Sequence, residues 1–170
     1  MKLNPGTWTA DLTATHARFT VRSFFSRVHG SFDVTDASLV VDAQGSPVRV
    51  EATLAAASVT TGIAKRDKDL RSPKFFGVDA HPTIRYRSTA IESTGDGWRV
   101  TGDLLVGDSS APVVLAVVPE ASSDGALVIR AIGEVDRAAA GIQAPPPVIG
   151  RAVSIEIGAR LTATADVGTR

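Results

Sequence analysis

The chain has 170 residues, 18 basic and 18 acidic, and no cysteine. Zero formal charge argues against a nucleic-acid binder, which carries a basic excess. The missing thiols exclude thiolate metal sites, thiol catalysis and a disulfide framework. The length is that of a single domain, able to bury about 70% of its unfolded surface without a metal or crosslink.

The opening, MKLNPGTW, has no apolar run. The expectation is therefore no signal peptide and, read literally, a cytoplasmic protein, or an exported one if a leader has been removed. No window approaches the ~20 apolar residues of a membrane-spanning helix. After the Pro5-Gly6 turn, Trp8 to Leu12 reads as a short first strand. From Ala17 to Ser23 the chain alternates, with Ala17, Phe19 and Val21 against Arg18, Thr20 and Arg22. One dry and one wet face suit an antiparallel sheet. Val28 to Asp42 reads as one long bent strand or two, ended by the turn cluster 42–47. In the next strand Val48, Val50, Ala52, Leu54 and Ala56 share one face, and Arg49, Glu51, Thr53 and Ala55 the other.

A helix is predicted over Ile63 to Leu70, with Thr61 as its cap and Pro73 as its stop. Phe75 and Phe76 follow. Thr83 begins another alternating strand, with Ile84, Tyr86 and Ser88 opposing Arg85 and Arg87. Gly95-Asp96-Gly97 closes a hairpin into Trp98 to Val106. Ala111 to Val118, Ala126 to Val135 and Ala152 to Ala163 supply the remaining strands. The Pro-rich stretch Ala144 to Pro147 cannot join a ladder, and Thr164 to Arg170 reads as a loose tail. The sum is eight or nine strands with one helical insertion, an up-and-down barrel or a sandwich.

Chemistry-bearing motifs are scarce. His16, His29 and His81 lack metal-site spacing, and no nucleophile elbow, Walker loop or dinucleotide-binding glycine pattern occurs. Lys65, Arg66, Lys68, Arg71 and Lys74 outnumber Asp67 and Asp69 around the helix. That excess is either a solvated face with local pairs such as Asp67–Arg71, or a contact for an anionic membrane surface.

The stretch Arg66-Asp67-x-x-Leu70-Arg71-Ser72-x-x-Phe75-Phe76, then Pro82-Thr83-Ile84-x-Tyr86-x-Ser88-Thr89, resembles the signature of the YceI family. Further likeness lies in Phe19-x-Val21-Arg22 with Val28-x-Gly30-x-Phe32, in Thr101-Gly102-Asp103-Leu104 with Pro112-Val113-Val114-Leu115, and in Val135-Asp136-Arg137 with Gly141-Ile142. The resemblance spans roughly residues 7 to 163, one domain. It implies an all-β, antiparallel lipocalin-like barrel, settling barrel over sandwich. It also implies a non-enzymatic protein needing no cofactor, whose ligand is an isoprenoid lipid: a polyisoprenoid or isoprenoid quinone held for carriage, storage or shielding. A homodimer belongs to the same expectation, and the charge excess around the helix adds a transient contact with a membrane surface or a lipid head group. The chain departs from many relatives at Ser23 and Asp69, where those carry histidines, so the lipid head group is the part of the resemblance not carried over.

The ligand-lining expectation combines alternation with that resemblance: Phe19, Val21, Phe32, Leu54, Ile84, Tyr86, Leu104, Val113 and Leu115 inward, with Phe75 and Phe76 as a plug or end wall. Small residues on the same strands, among them Ala52, Gly102, Ala131 and Ala159, leave room along the axis of an eight-stranded barrel. The alternatives are a packed core in a ligand-free interaction protein, or an enzyme acting on bound lipid through Ser23 with His16 or Asp69.

Overall fold

The computed structural model describes residues 1–23, 26–143 and 149–164. All of the expected Pro-rich loop, 144–147, and all but the first residue of the tail therefore lie outside the described residues. The described residues form nine strands and one α-helix: β1 (Gly6–Ala10), β2 (His16–Ser23), β3 (Arg27–Val41), β4 (Pro47–Thr60), α1 (Ala64–Arg71), β5 (Thr83–Ser93), β6 (Trp98–Val106), β7 (Ser109–Ala121), β8 (Leu127–Asp136) and β9 (Ile149–Ala163).

All pairings are antiparallel, and β2 through β9 close into a ring in which β9 returns to β2. β1 is not a ninth stave. It pairs with the end of β3, Trp8 opposite Leu39, and with the end of β9, Ala10 opposite Leu161. Those are the two strands that also flank β2. β1 and β2 thus share one slot, interrupted by a 3-10 turn at Leu12–Ala14 that Asp11 caps by accepting the Thr13 amide. The barrel is eight-stranded with one broken stave. Leu12, expected at the end of the first strand, sits in that break.

β3 is a single strand of fifteen residues. Its pairing with β4 slips between Val40 and Val41, where Arg49 and then Pro47 are the partners. This bulge turns Val48 outward, 51% exposed, whereas strict alternation places it inside. The remaining inward set of β4 follows the alternation.

Register sorts the connections to the two ends. Ser23 opposes Ile149, Ser31 opposes Thr60, and Ile84 opposes Val106. So α1, the β6–β7 turn and the β8–β9 connection gather at one end, and the tight turns at 42–46, 94–97 and 122–126 at the other. The tight-turn end is filled with large buried side chains: Trp8, Leu39, Val41, Trp98, Leu127 and Leu161 are all at most 5% exposed. At the α1 end the interior is bordered by Leu70, Phe75, Phe76 and Ile142.

Candidate functional site

Inside the barrel lies a cavity of about 240 Å³. It runs from Trp98 and Leu161 near the packed end to Leu70, Phe75, Phe76 and Ile142 near the α1 end. Its middle is walled by Ile84, Leu104, Leu115, Ile129, Val153, Ile155 and Ile157. These are inward positions of adjacent strands, so period-two patterning builds the wall directly.

Of the residues expected to line it, Phe19, Val21, Phe32, Leu54, Phe75, Phe76, Ile84, Tyr86, Leu104 and Leu115 do so, and Val113 does not. Val113 points inward and is 1% exposed. The Tyr86 ring lies across Gly102, and its hydroxyl donates to the Val113 carbonyl at 3.1 Å. The ring therefore covers the Val113 side chain. Sequence reading left out of the candidate set the β9 row Val153, Ile155 and Ile157, although its alternation was visible. It also left out Leu70 and Ile142, which come from connections.

Three aromatic rings form one wall. Phe19 and Phe32 have centroids 5.6 Å apart, and Phe32 meets Phe76 edge-on at 5.4 Å. Phe19 lies flat across Gly30, its direct partner on β3, where any Cβ would collide with the ring. Phe76 reaches this wall because the chain folds back over the end of α1. The amides of Phe76 and Val78 donate to the carbonyls of Leu70 and Arg71, at 3.0 and 3.2 Å. The aromatic pair is thus a side wall near the α1 end, held by backbone hydrogen bonds rather than by a free loop.

α1 is tied to the barrel by a carboxylate. Asp67, 7% exposed, accepts the Thr61 amide at 2.8 Å, the Thr61 hydroxyl at 2.6 Å and the Thr60 hydroxyl at 3.2 Å. Hydrogen bonds from Thr61 hold its carboxyl below the usual range against the opposing cost of burial. Arg66 completes the knot, donating to the Thr61 hydroxyl at 2.7 Å and the Thr61 carbonyl at 3.1 Å. Thr61 is consequently not the helix cap. Ile63 occupies that position without a side-chain hydrogen bond, because Thr61 is committed to Asp67. At the same end of the barrel, Arg137 donates to the carbonyls of Ile142 and Gly150, fixing the start of the β8–β9 connection.

The polar residues weighed for catalysis do not converge. His16 lies over Gly158 at one end of the eight-residue β2, and Ser23 is at the other, donating to Ser26. At about 3.3 Å per residue they stand roughly 20 Å apart. Asp69 is exposed on α1. His29 bonds the Thr20 hydroxyl at 3.0 Å, and His81 is 4.0 Å from Asp108. Among the described residues no group of three or more His, Asp or Glu is arranged to hold a metal.

The cavity can exclude water on chemical grounds. A buried water needs two to four polar partners. The hydroxyl of Tyr86, a lining residue, is buried and already bonded to backbone carbonyls. What remains is hydrocarbon.

A YceI-like domain matches residues 8–161. The chain belongs to the YceI-like family. Among curated relatives, a UPF0312 protein of Ectopseudomonas mendocina is 39% identical over 94 residues, 54% of this chain and 49% of that protein. Another, of Photorhabdus laumondii, is 35% identical over 92 residues, 54% of this chain and 48% of its own length. The matched segment spans about half the length of these relatives. In solved structures the YceI-like barrel recurs in Burkholderia cenocepacia BcnA, with a TM-score of 0.79 at 17% identity over 90% of this chain and 99% of that one. A polyisoprenoid-binding domain from Saccharophagus degradans gives a TM-score of 0.70 at 13% identity, covering 92% and 98%. At these identities the likeness is one of fold.

Proposed function

We propose that this YceI-like barrel binds one long apolar lipid, a polyisoprenoid or an isoprenoid quinone, along its axis, and carries, stores or shields it without chemistry. The observation that carries this reading is the cavity itself: a barrel built to be filled would not leave about 240 Å³ open between Trp98 and Phe76. Natural interiors pack closely, and unfilled apolar space forfeits dispersion contacts. A hydrocarbon chain restores them, and each CH2 moved from water contributes ~0.8 kcal/mol. Affinity then needs few hydrogen bonds, in keeping with a pore whose polar groups are satisfied internally. Family membership and the polyisoprenoid-binding neighbour support the same ligand class.

Entry is proposed at the α1 end, between Phe76, Leu70 and Ile142. In the connection at that end, Ile63 is 52% exposed, and Lys65, Lys68 and Lys74 are exposed as well. An exposed apolar side chain and exposed lysines on one connection suit brief contact with an anionic bilayer, from which such a lipid would be drawn. Among the described residues no helix is long and apolar enough to cross a membrane.

The test is native mass spectrometry of freshly purified protein, with solvent extraction and fragmentation of whatever is bound. A discrete added mass that fragments as an isoprenoid is the expected result. A bare 17.7 kDa chain that takes up no added polyprenyl quinone overturns the reading.

A further inference from the structure

The cavity has a floor at the tight-turn end. Leu39, Trp98 and Leu161 line it there, and each is at most 5% exposed. Trp8, Val41 and Leu127 are as deeply buried and belong to the same core cluster, yet they do not line the cavity. Trp8 stands opposite Leu39, and Leu127 opposite Leu161. The floor is therefore backed by further side chains rather than by water. The N-terminal segment closes over the same end. Leu3 packs on the cluster, its amide donates to the Gly45 carbonyl at 3.1 Å, and the Trp8 indole donates to the Asn4 carbonyl at 3.0 Å.

Strand length fixes the depth above this floor. The nine residues of β6 run from Trp98 to Val106, and both ends line the cavity. At about 3.4 Å per residue and a tilt of about 40° they cover about 20 Å of the barrel axis. β9 repeats the measure, lining the cavity from Val153 to Leu161. An isoprene unit places four bonds in the main chain, about 5 Å when extended at about 1.5 Å per bond. The depth is thus that of about four isoprene units.

We infer that Leu39, Trp98 and Leu161 are the stop of a molecular ruler, by which this barrel selects prenyl chains of about four units over longer ones. The inference rests on the lipid-binding reading above, with the tail against the floor and the head group towards α1. A prenyl chain drawn from a bilayer exchanges one hydrocarbon surrounding for another as long as it fits. Each unit that the floor turns back is left in water, without the gain that burial gives every CH2. A chain that stops short leaves the floor uncovered and forfeits its contacts. Selection therefore peaks where the tail just meets Trp98. Ile129 sits one inward step above Leu127, half-buried and lining the cavity, opposite the small Ala159 on β9. A larger side chain at 129 would raise the stop.

Competitive loading tests this. The full chain is equilibrated with an equimolar mixture of all-trans prenols from geraniol to decaprenol in detergent micelles, and in parallel with the matching prenyl quinones. Native mass spectrometry reads which masses are bound. Occupancy is expected to peak at geranylgeraniol and to fall about tenfold or more with each further unit. Ile129→Phe should move the peak to farnesol while the urea midpoint holds or rises, as cavity-filling changes commonly do. Trp98→Leu lowers the floor and should move the peak to longer chains; Ile129→Phe carries the test alone if that variant does not fold. Equal loading of all lengths, or a preferred length that ignores the Ile129→Phe substitution, overturns the ruler and leaves lipid binding in place. A chain left bare by prenols and prenyl quinones alike overturns the lipid-binding reading, and the ruler with it.

Discussion

Tyr86 occupies space that Gly102 leaves vacant on the neighbouring strand: a Cβ on Gly102 would stand 2.7 Å from the tyrosine hydroxyl. The ring can therefore lie flat against β6 and reach β7, where its hydroxyl finds the Val113 carbonyl. Burial pushes the hydroxyl's pKa up to about 12, with the nearby Asp103 charge adding to it. Tyr86 is the chain's single tyrosine, so its ionisation can be read without interference from another phenol. The folded pKa lies above the ordinary phenol value of 10.0, so the unfolded chain ionises first as pH rises. Stability from the neutral phenol is then complete below about pH 10 and is lost towards pH 12. Phenolate absorbance is expected only as the barrel unfolds in that window. A free-phenol titration near pH 10 in folded protein would show that the hydroxyl is not buried.

Gly102→Ala tests the same relationship from the other side. The added methyl meets the Arg87 carbonyl as well as the ring, and backbone cannot step aside. A loss of about 1–3 kcal/mol is expected from overpacking, read as a lower urea midpoint with an unchanged slope.

Much of this was legible in sequence because a barrel strand repeats every two residues. Phe19 and Val21, Ile84 and Tyr86, and Val153, Ile155 and Ile157 declare their faces by alternation alone. The places where sequence reading slipped are those where the period breaks or a side chain crosses strands. Val48 faces outward because of a bulge, a register event with no residue signature of its own. Thr61 has the chemistry of a cap but is claimed by Asp67, six residues away, a tertiary choice. Val113 points inward yet misses the cavity because Tyr86 lies over it. Strand β1 was visible, but its sharing of a slot with β2 depends on partners more than a hundred residues distant in β9.

Ala52 faces the cavity and is only half-buried there, opposite Tyr86 on β5. Ala52→Phe should fill the pore without disturbing the wall. The bound lipid should fall severalfold in solvent extracts, while the urea midpoint stays level or rises, as cavity-filling changes commonly do. Lost lipid accompanied by lost stability would mean that this part of the interior is already packed.

Asp67 fastens α1 through three hydrogen bonds from Thr60 and Thr61. Its carboxyl pKa is depressed, so the stabilisation is present above the unfolded value near 3.8 and is lost as pH falls through the lower folded value. Asp67→Ala leaves the Thr61 amide and hydroxyl without their acceptor and should cost about 1–3 kcal/mol. Because α1 carries Leu70 and leads into Phe76, lipid should also leave faster. Stopped-flow transfer to acceptor vesicles measures that release, and urea unfolding at neutral pH and below pH 4 measures the stability term. The variant should lose the acid-dependent part of its stability while the wild type keeps it. Equal acid profiles would place that dependence elsewhere, in Asp124 or Asp136, whose carboxyls are also held low by their hydrogen-bond donors.

Lys65, Lys68 and Lys74 are exposed along α1 and just after it, in the same connection as the exposed Ile63. If lipid passes between barrel and bilayer there, charge on the bilayer should set the rate of transfer rather than the affinity of the pore. Each basic residue near an anionic surface contributes about 1 kcal/mol of attraction. Replacing all three lysines with Gln should therefore slow uptake from vesicles rich in anionic lipid at least tenfold and leave uptake from neutral vesicles unchanged. The same difference should shrink at high salt, where surface charges are screened within a few ångströms. Replacing Ile63 with Ser should slow uptake from both kinds of vesicle, since its contribution is apolar burial. Equal rates for wild type and triple variant on anionic vesicles would mean that the lysines are only a solvated face and that lipid reaches the pore by another route.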